Sequence, residues 1–385
     1  MEEMKKYILG DVCSRLSSGK GISSEEVFEK GPFPVIGGNG LRGYAMKSNF
    51  SGECGVIGRQ GANCGNVRFF SGEAYMTEHA VVVVGNERAD TRYLTFLLST
   101  MHLGNLSAQS AQPGLSVKTL AKQEIMLPSL QEQKRRASIL ASLEDKIDLN
   151  NRINHNLEEQ ARALYKSWFV DFEPFKGGNF VDSELGLIPE GWRVGTLSEL
   201  GDIVAGGTPS KTKPEYYTNN GISWLTPKDL SVKCNKFTAR GEIDITEDGY
   251  KNSSTKLMPR GSVLFSSRAP IGYISIAKGD ICTNQGFKSV VPSYAGTAYL
   301  YYWLCENTEA IEAQASGSTF KEASGSLMRS FPALVPEKSV IDSFEKELSP
   351  IFNEQEILEE EINYAEQIRD SLLPRLMSGE LFMNC

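Results

Sequence analysis

Lys20, in Ser18-Gly19-Lys20-Gly21, is the residue whose setting comes nearest to a phosphate-cradling loop. The full loop pattern needs Gly at position 14 and Ser or Thr at 21, where Ser14 and Gly21 stand, so nucleotide chemistry is not expected. Asp171 and Glu173 could form an acid–base pair, but carboxylates two residues apart at a helix end read more simply as linker solvation. The chain has no Asn- or Asp-Pro-Pro-aromatic stretch for amino methylation, no G-x-G-x-x-G opening a helix, and no H-x-E with C-x-x-C for deamination. Its seven cysteines are scattered without a C-x-x-C and accompany only three histidines, so the clustered ligands of tetrahedral zinc are missing. What remains is hydrogen-bonding chemistry. Glycine-rich stretches such as Gly37-Gly38-Asn39-Gly40 and Gly206-Gly207-Thr208-Pro209-Ser210 read as loops, and Arg59 and Arg268 each follow an apolar strand.

These loops must be held by something, and the chain shows what holds them twice. Two helix-like segments, about Leu130 to Trp168 and about Val340 to Leu376, carry matching apolar seams, and Leu127-Pro128 is echoed by Val335-Pro336. The first seam is Leu140, Leu143, Ile147, Asn150, Asn154, Leu157, Ala161, Leu164 and Trp168; the second is Phe344, Leu348, Ile351, Gln355, Leu358, Ile362, Ala365, Leu372 and Leu376. A stripe this long needs a partner helix, and the economical partner is the other rod, with Asn150, Asn154 and Gln355 setting register. The alternative is two exposed faces. Pro350 is expected to kink the second helix or mark the start of its longer part.

The heads repeat as well. Leu9-Gly10-Asp11 matches Leu200-Gly201-Asp202, Tyr93-Leu94 matches Tyr299-Leu300, and Gly58-Arg59 is aligned with Ser267-Arg268. Strands are expected at Gly55-Val56-Ile57, Val81 to Val84, Ser262 to Phe265 and Tyr273 to Ile276, with a covering helix from Tyr93 to Leu103. Insertions fall inside the heads, which predicts one architecture with two different sets of surface loops.

With 385 residues, 40% of them hydrophobic and 23% charged, the chain can bury two cores. It has no long apolar run and no export pattern after Met1, so a cytoplasmic location is expected. The net charge of -8 lies entirely in the last 49 residues, which hold twelve acidic and four basic side chains. The remaining chain is balanced, leaving the heads free to offer basic faces to phosphates.

Several separate stretches resemble the specificity (S) subunit of type I restriction-modification systems. They are Pro128 to Lys134, Asp182 to Gly186 followed by Ile188 to Trp192, and Pro374 to Leu381. The resemblance covers nearly the whole chain. It implies an α+β fold with two mixed α/β target-recognition domains, residues 1–128 and 193–336, and a pseudo-twofold internal repeat. Conserved helices in 129–173 and 337–385 would form an antiparallel coiled coil, with 174–192 as linker. It also implies a chain that reads a bipartite site on double-stranded DNA without catalysing anything itself. Two methyltransferase subunits using S-adenosylmethionine would dock on it, and restriction subunits using ATP and Mg would be added for cleavage.

Under that resemblance, Arg59, Asn39, Gln60, Arg268 and Gln285 are the candidates for base contact. Arg can hold guanine O6 and N7 by two parallel hydrogen bonds, and Asn or Gln can do the same for adenine. Lys20, Lys211, Lys228 and Ser318 are the phosphate candidates, and Gln112 in Gln112-Pro113-Gly114-Leu115-Ser116 joins the DNA-facing set. No cofactor or metal is expected on this chain. Two rival readings stand beside this one: a coiled-coil adaptor whose heads bind protein, and a self-contained methyltransferase or nuclease with an unfamiliar site.

Overall fold

The structure is a computed structural model that describes residues 4–107, 114–232, 235–317 and 321–381. It divides into two compact units, Met1–Leu149 with Ile362–Cys385, and Asn150–Glu361. Elements are numbered in chain order, and two long helices, α3 (Leu130–Phe169) and α9 (Lys338–Ser378), each give one portion to each unit.

In the first unit, β1 (Lys5–Ile8) pairs antiparallel with β8 (Glu124–Leu127) just before α3 begins. The six-stranded sheet runs β2 (Cys13–Ser18), β7 (Ala80–Gly85), β5 (Phe50–Gly58), β6 (Val67–Met76), β3 (Phe33–Gly37), β4 (Gly40–Ala45). The run Val81 to Val83 is buried in the sheet centre, as its β-branched composition favours. Helix α1 (Thr91–Ser99) covers the sheet, its N-terminus capped by Asp90, whose carboxylate accepts the Tyr93 N–H at 2.8 Å. It ends at Ser99, short of the expected Leu103, and Leu103–Leu106 form a separate 3-10 turn. Helix α2 (Val117–Ala121) leads into β8.

In the second unit, β9 (Phe180–Ser183) and β10 (Gly186–Pro189) form a hairpin, and Ile188 and Trp192 are buried in the core. Strand β11 (Arg193–Thr196) leads through the single turn α4 (Leu197–Leu200) to β12 (Gly201–Ala205). Short elements follow: β13 (Tyr217–Thr218), β14 (Trp224–Leu225), α5 (Pro227–Val232), β15 (Phe237–Thr238), β16 (Asp244–Ile245) and α6 (Glu247–Lys251). Then come β17 (Val263–Ser267), β18 (Ile271–Ala277), β19 (Cys282–Thr283), β20 (Lys288–Pro292), α7 (Thr297–Gln314), α8 (Gly325–Ser330) and β21 (Pro332–Val335), which pairs with β11. The main sheet has the order β12, β20, β17, β18, β15.

All the seam residues of α3 and α9 are buried or half-buried, so the exposed-face alternative fails. In the second unit, Asn150 Nδ2 donates to Glu361 at 2.9 Å and Gln355 Nε2 donates to Glu158 at 3.0 Å. Partner numbers fall along α9 as they rise along α3, so the two helices run antiparallel there. In the first unit, fully buried Arg136 reaches from α3 to the Leu376 carbonyl at 2.7 Å, while its Nε pairs with Glu132 at 2.8 Å. Asn150 and Gln355 thus make the cross-helix bonds that specify register; Asn154 does not, and its buried Oδ1 has no partner. Helix α9 is continuous through Pro350 and Pro374.

Hydrogen bonding corrects the alignment of the two heads. The Leu9 N–H donates to Gln123 O as the Leu197 N–H donates to Phe331 O, and Asn86 N–H reaches Val12 O as Ala295 N–H reaches Leu200 O. Leu9-Gly10-Asp11 is therefore equivalent to Leu197-Ser198-Glu199, not to the similar letters Leu200-Gly201-Asp202. Likewise, Leu115 N–H donates to Arg59 O as Ala323 N–H donates to Ser267 O. Arg268 is consequently the counterpart of Gln60, and Arg59 that of Ser267. Letter identity misled because backbone pairing, not side-chain type, defines equivalence in a sheet.

Candidate nucleic-acid interface

In the first unit, four chain segments meet where strands end. The Lys20 N–H donates to Met76 O at 3.0 Å, the Thr77 N–H to Ile36 O at 2.9 Å, and the Arg59 N–H to His79 O at 2.9 Å. Gly38 is packed so closely that a Cβ there would lie 2.9 Å from His79 O and 3.2 Å from Gly58 Cα. The loops carrying Lys20, Asn39, Arg59, Gln60 and His79 are thus brought together by backbone contacts. Lys20, Asn39 and Gln60 are exposed, and Arg59 is half-buried. Arg68 was not singled out in the sequence. It belongs to this cluster because its Nη1 donates to Asn39 O at 2.7 Å, beneath a two-residue hairpin turn closed by Gly40. With φ at 101°, a conformation that side-chain-bearing residues rarely adopt, any substitution at Gly40 would be strained. Arg42, exposed on the same hairpin, packs its Cδ against Gly37. Neither arginine carries a mark in the sequence, since burial along β4 and β6 does not alternate.

The second unit repeats the frame with other side chains. The Ser267 N–H donates to Gly286 O at 2.7 Å, and the Gly207 N–H to Thr283 O at 2.8 Å, matching the bonds of Arg59 and Lys20. Gly19 and Gly206 are equivalent, and a Cβ on either would collide with backbone oxygen, at 2.1 Å from Met76 O and 1.9 Å from Asn284 O. Glycine is thus needed twice at one place in the frame. Arg268 and Gln285 are brought together by the Ser267–Gly286 bond, but neither side chain is idle. Arg268 Nη1 lies 3.6 Å from Glu322, which also holds Lys288 at 3.1 Å, and Gln285 accepts from the Thr208 hydroxyl. Lys228, on α5, has its ammonium 3.2 Å from Glu242. Lys211 is exposed on the loop after Gly206-Gly207. Gln112 and Ser318 lie outside the described residues.

At equivalent positions the two frames therefore display Gln60 against Arg268, Glu78 against Gln285, and Lys20 against Gly207. One scaffold presents two donor and acceptor patterns, which is what reading two different base sequences requires. Among the described residues no cluster of His, Cys, Asp or Glu could hold a metal ion, and no helix is long and apolar enough to cross a membrane.

Comparison with known proteins agrees with this geometry. A model of the type I restriction modification DNA specificity domain matches residues 1–159 and 189–366. The MjaIX type I restriction enzyme specificity subunit of Methanocaldococcus jannaschii is 37% identical over 190 residues, which cover 47% of this chain and 44% of that protein. The HindI specificity subunit of Haemophilus influenzae is 26% identical over 330 residues, 70% of this chain and 71% of that one. The crystal structure of a type I restriction-modification S subunit from M. genitalium has the same fold, with a TM-score of 0.72 at 14% identity over 100% of this chain and 97% of that one.

Proposed function

Because the chain belongs to the type I restriction modification DNA specificity family, we propose that it reads a bipartite site on double-stranded DNA, one half-site per unit. The observation that carries this reading is the pair of equivalent loop frames with different polar side chains. Arg59, Asn39, Gln60 and Lys20 serve one half-site, with Arg68 added from the structure. Arg268, Gln285, Lys211 and Lys228 serve the other. Arg268 and Lys228 exchange their carboxylate partners Glu322 and Glu242 for bases or phosphates on binding, and both pairs are accessible enough for that exchange. Exposed pairs of this kind contribute little to stability, so releasing them costs little.

In this reading the chain itself performs no chemistry. Two methyltransferase subunits dock on it and methylate adenine from S-adenosylmethionine, and restriction subunits bring ATP and Mg for cleavage. Footprinting of the reconstituted complex tests the proposal. Two protected segments separated by a gap of constant length are expected, and a single undivided site would overturn it.

A further inference from the structure

The two units differ in one buried place. In the second, β15 adds to the edge of β18 in parallel, with the Ile276 N–H donating to Lys236 O at 2.8 Å and the Lys278 N–H to Thr238 O at 3.0 Å. Lys236 and Phe237 then fill the space between the sheet, α7 and α9. The Lys236 ammonium lies 3.8 Å from the Phe352 ring centre and hydrogen-bonds Gln355 and Tyr302, at 2.8 and 2.9 Å. Phe237 stacks edge-on against Phe352.

Among the described residues the first unit has no such strand. Its chain passes from β3 through β4 directly to β5, whereas the second unit inserts α5, β15, β16 and α6 between β14 and β17. By the shared pairing of Gly55 with Phe69 and Val83, and of Val263 with Ile276 and Val290, Phe69 is the counterpart of Ile276 and Ser71 that of Lys278. The Gly58 N–H to Asn66 O bond fixes the β5–β6 ladder so that the N–H groups of Phe69 and Ser71 point away from β5. Strand β3 pairs with β6 only at Tyr75 and Met76, so among the described residues no strand covers Val67 to Ser71. Beside this edge lies a cleft of about 660 Å³, lined by Glu53, Arg92, Glu144, Asp145, Asp148 and Arg369. Arg92 is committed to Asp145 at 2.7 Å and Arg369 to Asp370 at 2.9 Å, whereas Glu53, Glu144 and Asp148 have no ion-pair partner among the described residues. Burial pushes the Glu144 carboxyl up, against the pull of Arg92 and Arg369.

We infer that this cleft is a docking site for an extended segment of a partner polypeptide carrying a lysine followed by an aromatic residue. The segment adds in parallel to the edge of β6 and sets its ammonium among Glu53, Glu144 and Asp148. The second unit supplies the same segment internally, as Lys236-Phe237, and the first takes it from outside. Strand addition gives main-chain hydrogen bonds as the affinity and the cleft as the specificity.

The test uses the full chain and a fluorescent peptide of residues 235–241, Asn-Lys-Phe-Thr-Ala-Arg-Gly. Saturable binding is expected in anisotropy, with slowed amide exchange confined to residues 67–71. A peptide with Glu in place of its lysine should bind about tenfold more weakly, or worse. Ser71→Pro, which removes one edge N–H, and Asp148→Lys, an exposed change that leaves the edge intact, should each weaken binding to a similar degree. Absence of saturable binding at millimolar peptide, or equal binding by the charge-reversed peptide, would overturn the inference. Neither readout involves DNA, so the outcome is separate from that of the half-site proposal.

Discussion

The Lys236 ammonium lies 2.7 Å from the Glu158 carboxylate, joining a short edge strand to helix α3 inside the second unit. Gln355 of α9 donates to the same carboxylate, and Glu359 of α9 accepts the backbone N–H groups of Lys236 and Phe237 at 2.8 and 3.1 Å. One lysine, 7% exposed, thereby ties the recognition head to both long helices. Burial lowers its pKa, and the Glu158 carboxylate beside it works against that shift.

Lys236→Met should destabilise the chain by about 3–5 kcal/mol, since it leaves the partly buried Glu158 carboxylate without its cation. Lys236→Met with Glu158→Met should recover much of that loss, because no unpaired charge then remains. Urea midpoints of the two variants check this. A double variant as unstable as the single one would show that the pair is not the source.

The same pair sets an acid limit. Burial tends to raise the Glu158 carboxyl, but Lys236 outweighs it, with help from Gln355 and Tyr302, and the pKa ends below its ordinary 4.5. A carboxyl lowered on folding stabilises the chain fully above 4.5 and loses that contribution as pH falls through the folded value. Glu158→Gln should therefore lower stability at pH 7 and flatten its decline between about pH 5 and pH 3. Equal slopes for the two proteins in urea melts across that window would refute the assignment.

Gln60→Ala and Arg268→Ala occupy equivalent places in the two frames and should act on opposite halves of the DNA site. Each is expected to relax base preference at its own half-site by about 1–3 kcal/mol and leave the other unchanged. Competition binding with half-site libraries measures it; an effect of either variant on both halves would contradict the equivalence.

Lys20→Ala and Lys211→Ala should weaken binding to all sequences alike. Each phosphate contact removed should reduce the slope of log K against log salt by about 0.9. A sequence-dependent loss would instead make that lysine a base reader.

The seam of α3 and α9 was legible because a 3.5-residue apolar period over many turns has only one economical outcome, a partner helix. Asn150 and Gln355 stood out as polar breaks in it. The duplicated layout was legible for the same reason: periodicity and spacing survive in the order of residues. The alignment within the heads was not, and Leu9-Gly10-Asp11 and Gly58-Arg59 were matched by letters that the sheet does not pair. Lys236 gave no signal at all, since a lone lysine in a loop-rich stretch carries no mark of burial until Glu158, Gln355 and Tyr302 arrive from distant parts of the chain. Arg68 was hidden likewise, because its tie to Asn39 depends on a hairpin turn meeting a strand. Local periodicity determined the helices, the repeat and the loop-borne polar residues. Only the tertiary structure decided which of those residues meet, because a hydrogen bond between segments far apart in sequence leaves no pattern in either one.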